Sequence, residues 1–302
     1  MAIRYVLSCD GGGIRGAATA AFLEKVESEL NISLVDQFDF FAGTSTGAII
    51  VAGIAGKGWT AQKVGELYNY ENANRIFDKS IWDKGLGVIQ TEPKYDGKGK
   101  RKLLNKNLGT SKLANAKKPL LMVAYDVEKR RSRVLKSFTG TTFEPGDITL
   151  AEAADASSAA PTYFPTVQVE DMWLIDGGVI ANNPALCAYA EAIKKFPGDE
   201  IRLLSVGTGY RTRVIDGKKS RDYGAIEWLR HDLLGIVMDE SVVEYQMQVI
   251  LGNDCYLRAT SELIGVKDEM DDTSNQNLTS LKKLGEAWFE QKKLALETFF
   301  TP

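Results

Sequence analysis

Two glycine-framed turns near the start of the chain constrain its architecture more than any other feature. They are Asp10-Gly11-Gly12-Gly13-Ile14-Arg15-Gly16 and Gly43-Thr44-Ser45-Thr46-Gly47. Each follows an apolar run that reads as a strand, Ile3 to Cys9 and Phe38 to Ala42, and each opens a helical pattern. Strand-turn-helix units in succession bring each new strand back in the same direction, so the expected fold class is α/β with a mainly parallel central sheet. The second turn fits the G-x-S-x-G nucleophile elbow, in which small neighbours permit a sharp turn that lifts a serine hydroxyl out of the sheet. Ser45 is the candidate nucleophile, and Gly43 and Gly47 are the small neighbours.

Strand and helix patterns keep alternating downstream. Ala18, Phe22, Val26 and Leu30 form one apolar stripe on a helix from Ala17 to Leu30. Further strands are expected at Leu120 to Val127, Arg133 to Phe138, Met172 to Asp176 and Ile201 to Val206. Thr149 with Glu152 makes a capping box, and Asn183-Pro184 offers a helix cap followed by proline. Trp82 to Gly99, rich in glycine and lysine, reads as a long surface loop near the active face. The patterns from Ala225 to Leu251 and from Leu278 to Phe300 are helical, with a strand candidate at Cys255 to Ala259. The apolar positions Leu233, Val237, Met247, Leu281, Leu284 and Trp288 read as core stripes. The 302 residues are expected to form one domain, with a motif-bearing core at about 3–210 and a helix-rich portion at about 211–302.

Composition narrows the function classes. Apolar and charged fractions of 44% and 25% are those of an ordinary globular protein, and a net charge of −3 argues against nucleic acid as a partner. Three scattered cysteines, Cys9, Cys187 and Cys255, make neither a disulfide framework nor a zinc site, so a reducing, cytoplasmic setting is expected. Met1 leads within two residues into the first strand, which leaves no room for an export leader. The most apolar helical run, Gly47 to Gly56, is well short of the ~20 residues that span a bilayer.

A serine nucleophile needs a base. The chain has one histidine, His231, in an amphipathic helical pattern, and the order Ser45, Asp176, His231 keeps a triad open. Asp176 is the better candidate, because it ends an apolar strand and begins the turn Gly177-Gly178, where carboxylates reach the mouth of an α/β sheet. Gly11, Gly12 and Gly13 lack side chains, so their N–H groups can converge on an oxyanion at a helix N-terminus. Arg15 and Gly16 are expected to support that loop, or Arg15 to meet an anionic substrate.

Taken together these residues resemble the patatin-like phospholipase family. The resemblance also rests on Ala156-Ser157-Ser158-Ala159-Ala160-Pro161-Thr162-Tyr163-Phe164-Pro165, on Asn182-Asn183-Pro184 behind Asp176, and on Pro93-Lys94-Tyr95-Asp96-Gly97-Lys98. It implies a three-layer α/β/α fold, a Ser45-Asp176 dyad, an oxyanion hole at Gly11 to Gly13 and an acyl-enzyme. The implied reaction is hydrolysis of phospholipids or related acyl lipids with no metal or other cofactor. Beyond residue 210 no motif carries the resemblance.

Each signal also has a plainer reading. Gly11-x-Gly13-x-x-Gly16 fits a dinucleotide fingerprint, but Ala42-Gly43-Thr44 lacks the ribose-binding acid expected roughly 20 residues on. No Lys-Ser or Lys-Thr pair follows the glycines, as a P-loop requires. A non-catalytic storage or binding protein of the same fold is the other alternative. Ala156 to Pro165 reads either as tight packing or as the border of an acyl channel. Lys94 to Lys118 holds nine Lys/Arg against one acid, Asp96, and reads either as a solvated loop or as a peripheral docking site on anionic lipid.

Overall fold

Strand β1 (Ile3–Cys9) lies inside an eight-stranded sheet. The computed structural model describes residues 2–77, 92–139, 145–212, 214–224, 227–228, 235–236 and 241–301. After β1 come α1 (Gly16–Leu30), β2 (Phe40–Thr44) and α2 (Thr46–Val51), which runs on into a π-helical turn at Ala52–Gly56. Next are α3 (Lys98–Leu108), β3 (Leu120–Asp126), β4 (Arg131–Lys136), α4 (Leu150–Ser157), β5 (Val167–Val169) and β6 (Met172–Asp176). The chain closes with α5 (Ala185–Lys195), β7 (Glu200–Val206), α6 (Ser241–Cys255), β8 (Tyr256–Ala259) and α7 (Asn275–Phe300).

The sheet order is β5-β6-β3-β2-β1-β7-β8, with β4 also paired to β3. Pairings among β3, β2, β1, β7 and β8 are parallel, and β4, β5 and β6 add antiparallel ones. Alternate residues of each central strand enter opposite layers, as the two-residue period of a strand requires. Leu7, Cys9, Phe41, Met122, Leu204 and Val206 pack into the layer that contains α1, α2, α4 and α7. Val6, Phe40, Ala42, Leu121, Val123 and Leu203 face the other, with Ala185, Ala188 and Ala192 of α5 and Met247 of α6. The result is a three-layer α/β/α arrangement.

Described elements after residue 210 are built into these layers. Strand β8 pairs in parallel with β7. Helix α7 lies against α1 closely enough that a Cβ on Gly285 would come 2.1 Å from the Ala18 carbonyl oxygen. Met247, Leu281 and Trp288 are buried, as their stripes predict, whereas Leu233 and Val237 lie outside the described residues. Among the described residues no helix is long and apolar enough to cross a membrane.

Three expectations shift. The strand expected at Phe38 to Ala42 runs from Phe40 to Thr44, into the glycine-framed turn itself. The loop expected from Trp82 to Gly99 is described only from residue 92, and there Tyr95 is buried against Phe77 and Phe164 while Lys98 already begins α3. Burying the aromatic ring outweighs the polarity of its neighbours. The strand expected at Arg133 to Phe138 starts two residues earlier, because Asp126 accepts from the Lys129 N–H and pairs with Arg133, closing a short hairpin turn.

Candidate active site

The topology of β3 brings Ser45 and Asp176 together. Along one edge β4 pairs from Leu121 to Asp126. The other edge is shared: β2 pairs with Leu120–Val123, and β6, arriving in the opposite direction, pairs with Ala124–Asp126. Thr44 therefore stands opposite Val123 and Asp176 opposite the next residue, Ala124. Two strand ends meet head-on at the switch point, and the next residue after Thr44 is Ser45.

Ser45 joins β2 to α2 with φ 55° and ψ −120°, a strained conformation for a residue with a side chain. The turn closes only around glycine, since a Cβ on Gly47 would lie 2.0 Å from the Cys9 carbonyl oxygen and one on Gly43 2.4 Å from that of Gly47. Ser45 is 7% exposed, and its N–H donates to the Ser157 hydroxyl at 3.1 Å. Its own hydroxyl lies near enough to the Asp176 carboxylate to lower that carboxyl's pKa, and both residues line one cavity.

Asp176 is 2% exposed and accepts from the Gly178 N–H at 2.7 Å. Burial pushes its pKa up to about 6, against the opposing pull of the Ser45 hydroxyl, the Gly178 N–H and the charge of Lys100. A carboxylate tuned in this way is ionised at neutral pH yet basic enough to take a proton.

The glycine loop lies beside them. Gly13 has φ 59°, and a Cβ there would sit 2.4 Å from the Met270 carbonyl oxygen. Gly16 opens α1 against Thr46 and Tyr68. Arg15 fixes the loop, donating to the Gly12 and Gly209 carbonyls at 3.3 Å each. Of the three N–H groups expected to converge, that of Gly11 already donates to the Asn182 carbonyl at 3.1 Å. This narrows the expectation: Gly12 and Gly13 are the two whose N–H groups meet no protein acceptor among the described residues. The turn after Asp176 thus clamps both motifs, because Thr44 Oγ1 also donates to the Ala181 carbonyl at 2.8 Å. Asn183 caps α5 through the Ala185 N–H.

Ser45 and Asp176 open on a mainly apolar cavity whose wall includes Ile49, Leu67, Phe77, Leu104, Tyr163 and Phe164. Of the two readings of Ala156 to Pro165, the one that borders a channel fits, as Ser158, Ala160, Tyr163 and Phe164 all line this cavity.

Several residues at the site carry no local signature. Lys100, 2% exposed, lines the same cavity, pairs with Asp155 at 3.1 Å and donates to the Asp155 and Ser158 carbonyls. Burial lowers its pKa, and Asp155 opposes that. Behind the glycine loop, the buried Asp10 carboxylate pairs with Arg258 of β8, which also donates to Ser205 at 2.7 Å. Thr208 donates to the Gly11 carbonyl at 2.8 Å. In the sequence Lys100 is lost in a basic run, and Arg258 and Met270 stand where no motif marks them. His231 lies outside the described residues.

The basic stretch does not make one face. Lys94 pairs with Asp271, Lys98 with Asp96, Lys100 and Arg101 with Asp155, and Lys112 with Asp147. Lys117 and Lys118 precede β3 at the end of the sheet opposite Ser45, where the Lys118 N–H donates to the Ala55 carbonyl. Of these cations Lys100 lines the cavity, together with Leu103 and Leu104 of the same helix.

The chain is similar to known proteins over most of its length. Patatin-like protein 2 of Arabidopsis thaliana is 31% identical, over 93% of this chain and 81% of its own. Patatin-17 of Solanum cardiophyllum is 27% identical over 93% and 82%. The solved structure of VipD from Legionella pneumophila has a TM-score of 0.48 at 14% identity, covering 94% of this chain and 67% of that one. The model of the patatin-like phospholipase family matches residues 7–189, from the glycine loop through the turn after Asp176. On that span and those identities, the chain belongs to the patatin-like phospholipase family.

Proposed function

We propose that the chain acts as a single lipid acyl hydrolase unit of phospholipase A type, a carboxylic ester hydrolase working through a Ser45-Asp176 dyad. The observation that carries this reading is a strained serine that shares an apolar cavity with a buried, partly basic carboxylate, the two held at adjoining strand ends. In the first half-reaction Ser45 Oγ attacks the ester carbonyl carbon while its proton passes to Asp176. The N–H groups of Gly12 and Gly13 receive the oxyanion, an effect worth ~3–4 kcal/mol per donor in known cases. Collapse breaks the ester bond, the leaving alkoxide takes the proton from Asp176, and the acyl group stays on Ser45. Water, giving a proton to Asp176, then attacks the acyl-enzyme, releases the fatty acid and restores the Ser45 hydroxyl. The reading uses no metal or other cofactor.

The apolar wall suits an acyl chain, and membrane-derived phospholipid is the substrate class proposed, met at a membrane surface by peripheral contact. A serine-reactive fluorophosphonate is expected to label Ser45. Ser45→Ala is expected to abolish both labelling and hydrolysis of a phospholipid panel while the circular dichroism spectrum is kept. Wild-type turnover in the folded alanine variant would overturn the reading.

A further inference from the structure

Ser157, the last residue of α4, bonds to the proposed nucleophile and to the residue after the proposed base, and lies at the point where β3 changes partner. Its hydroxyl donates to the Val123 carbonyl at 2.5 Å and accepts the Ser45 N–H at 3.1 Å. Its own carbonyl accepts the Gly177 N–H at 3.3 Å, one residue beyond Asp176. Two residues on, the Ala159 carbonyl accepts the Asp176 N–H at 3.0 Å. The end of α4 is therefore bonded to the nucleophile through a side chain and to the base's strand through backbone. It is fixed to β3 as well, where Thr44 pairs with Val123 and Asp176 with Ala124.

Ser45 and Asp176 have no continuous ladder between them. Strand β2 ends at Thr44, and the nucleophile stands in a turn whose N–H is outside the sheet pairing. A strained turn keeps its geometry only when its surroundings over-determine it. The Ser157 hydroxyl supplies that constraint from the side facing Asp176. We infer that Ser157 is a positioning residue for the acyl-transfer step, setting the Ser45 hydroxyl against the Asp176 carboxylate while itself touching neither reacting atom. This rests on the Ser45-Asp176 reading. Lys100 helps hold the helix end in place, since its ammonium group donates to the Ser158 carbonyl and hydroxyl at 2.7 and 3.1 Å.

The test compares wild type with Ser157→Ala, Ser157→Thr and Ser45→Ala on a soluble short-chain ester. Single-turnover fluorophosphonate labelling and the unfolding midpoint are followed alongside. Ser157→Ala is expected to lower kcat and the labelling rate by roughly 10- to 100-fold, the scale of a misplacement of about 1 Å. KM should change little, because the acyl wall is untouched. Ser157→Thr keeps the hydroxyl and is expected to recover most of the rate; a merely structural role predicts no such rescue, since the added methyl crowds a fully buried site. If the alanine variant does not fold, Ser157→Cys, similar in shape but a much weaker acceptor, takes its place with the same expected loss. Wild-type kcat and labelling in the folded alanine or cysteine variant, with Ser45→Ala inactive, would overturn this inference alone. Activity in Ser45→Ala would instead remove the dyad reading beneath it.

Discussion

In the proposed dyad, Asp176 is the residue expected to set the pH behaviour of the site. Its carboxyl is pushed up to about 6, chiefly by burial, and it must be ionised to accept the serine proton. Activity is therefore expected to fall as pH drops through about 6, seen as the acid limb of kcat/KM on a soluble ester. Stability carries the opposite sign. A carboxyl whose folded pKa is raised binds its proton more tightly in the folded state, so its contribution is fully present below the unfolded value near 4 and is lost as pH rises through about 6. Asp176→Asn keeps an oxygen for the Gly178 N–H and has no charge to bury. It is expected to be inactive but more stable than wild type above pH 6, by at most about 3 kcal/mol, with the gain vanishing below about pH 4. Denaturant titrations at pH 4 and 8 check this, and an equal difference at both pH values would refute it.

Ser45 adds a second trade of stability for function. With φ 55° it occupies a conformation that glycine adopts freely and serine does not, at a cost of about 1–3 kcal/mol. Ser45→Gly and Ser45→Ala should both be inactive, with the glycine variant the more stable by about 1 kcal/mol. Identical unfolding midpoints in matched samples would show that the elbow stores no strain. Both residues stand out in the sequence because each sits in a glycine frame at a strand end, a local signature. The contacts of Lys100, Ser157 and Arg258 reach residues distant in sequence, so no local pattern marks them, even though Ser157 stands in the run Ala156 to Pro165.

At the scale of elements, the apolar runs of β1, β6 and β7 match the observed strands to within a residue; the ends of β1 and β7 are buried on both faces, whereas β6 exposes Trp173 on one and is read from its composition. Strand β5 has three residues, too short to show a period, and it was not anticipated. The convergence of β2 and β6 on one edge of β3 is a property of pairing and cannot be seen in either strand alone. The same holds for β8, whose Arg258 reaches the buried Asp10 carboxylate behind the glycine loop. Removing one partner of such a pair strands the other in a low-dielectric interior, so Arg258→Met is expected to cost about 3–5 kcal/mol in denaturant unfolding. Adding Asp10→Leu removes the stranded charge and should recover a large part of that loss. A double variant no more stable than Arg258→Met would mean that the loss lies in the Ser205 and Glu244 contacts of Arg258 instead.

The whole molecule decides whether the positive charges gathered in one segment can act together. Read as a string, Lys94 to Lys118 is a basic patch; in the fold, five of its nine cations are ion-paired and its two ends lie toward opposite ends of the sheet. A lipid surface that delivers substrate to Ser45 is expected to meet the exposed Lys98 and Lys102 of α3, the helix whose buried residues line the cavity, and not Lys117 and Lys118. Exposed lysines near an anionic surface contribute about 1 kcal/mol each, acting through a field that salt screens. Lys98→Gln with Lys102→Gln is therefore expected to weaken adsorption to anionic vesicles roughly 10- to 30-fold at low salt, in line with that per-residue figure. Hydrolysis on those vesicles should fall with it, while cleavage of a soluble short-chain ester is unchanged. Lys117→Gln with Lys118→Gln should leave both near wild type, and raising salt on the wild type should reproduce the first pair's vesicle defect. Equal losses from the two pairs would mean that net charge, not an oriented face, governs adsorption. No loss from either would leave the basic segment as solvated surface.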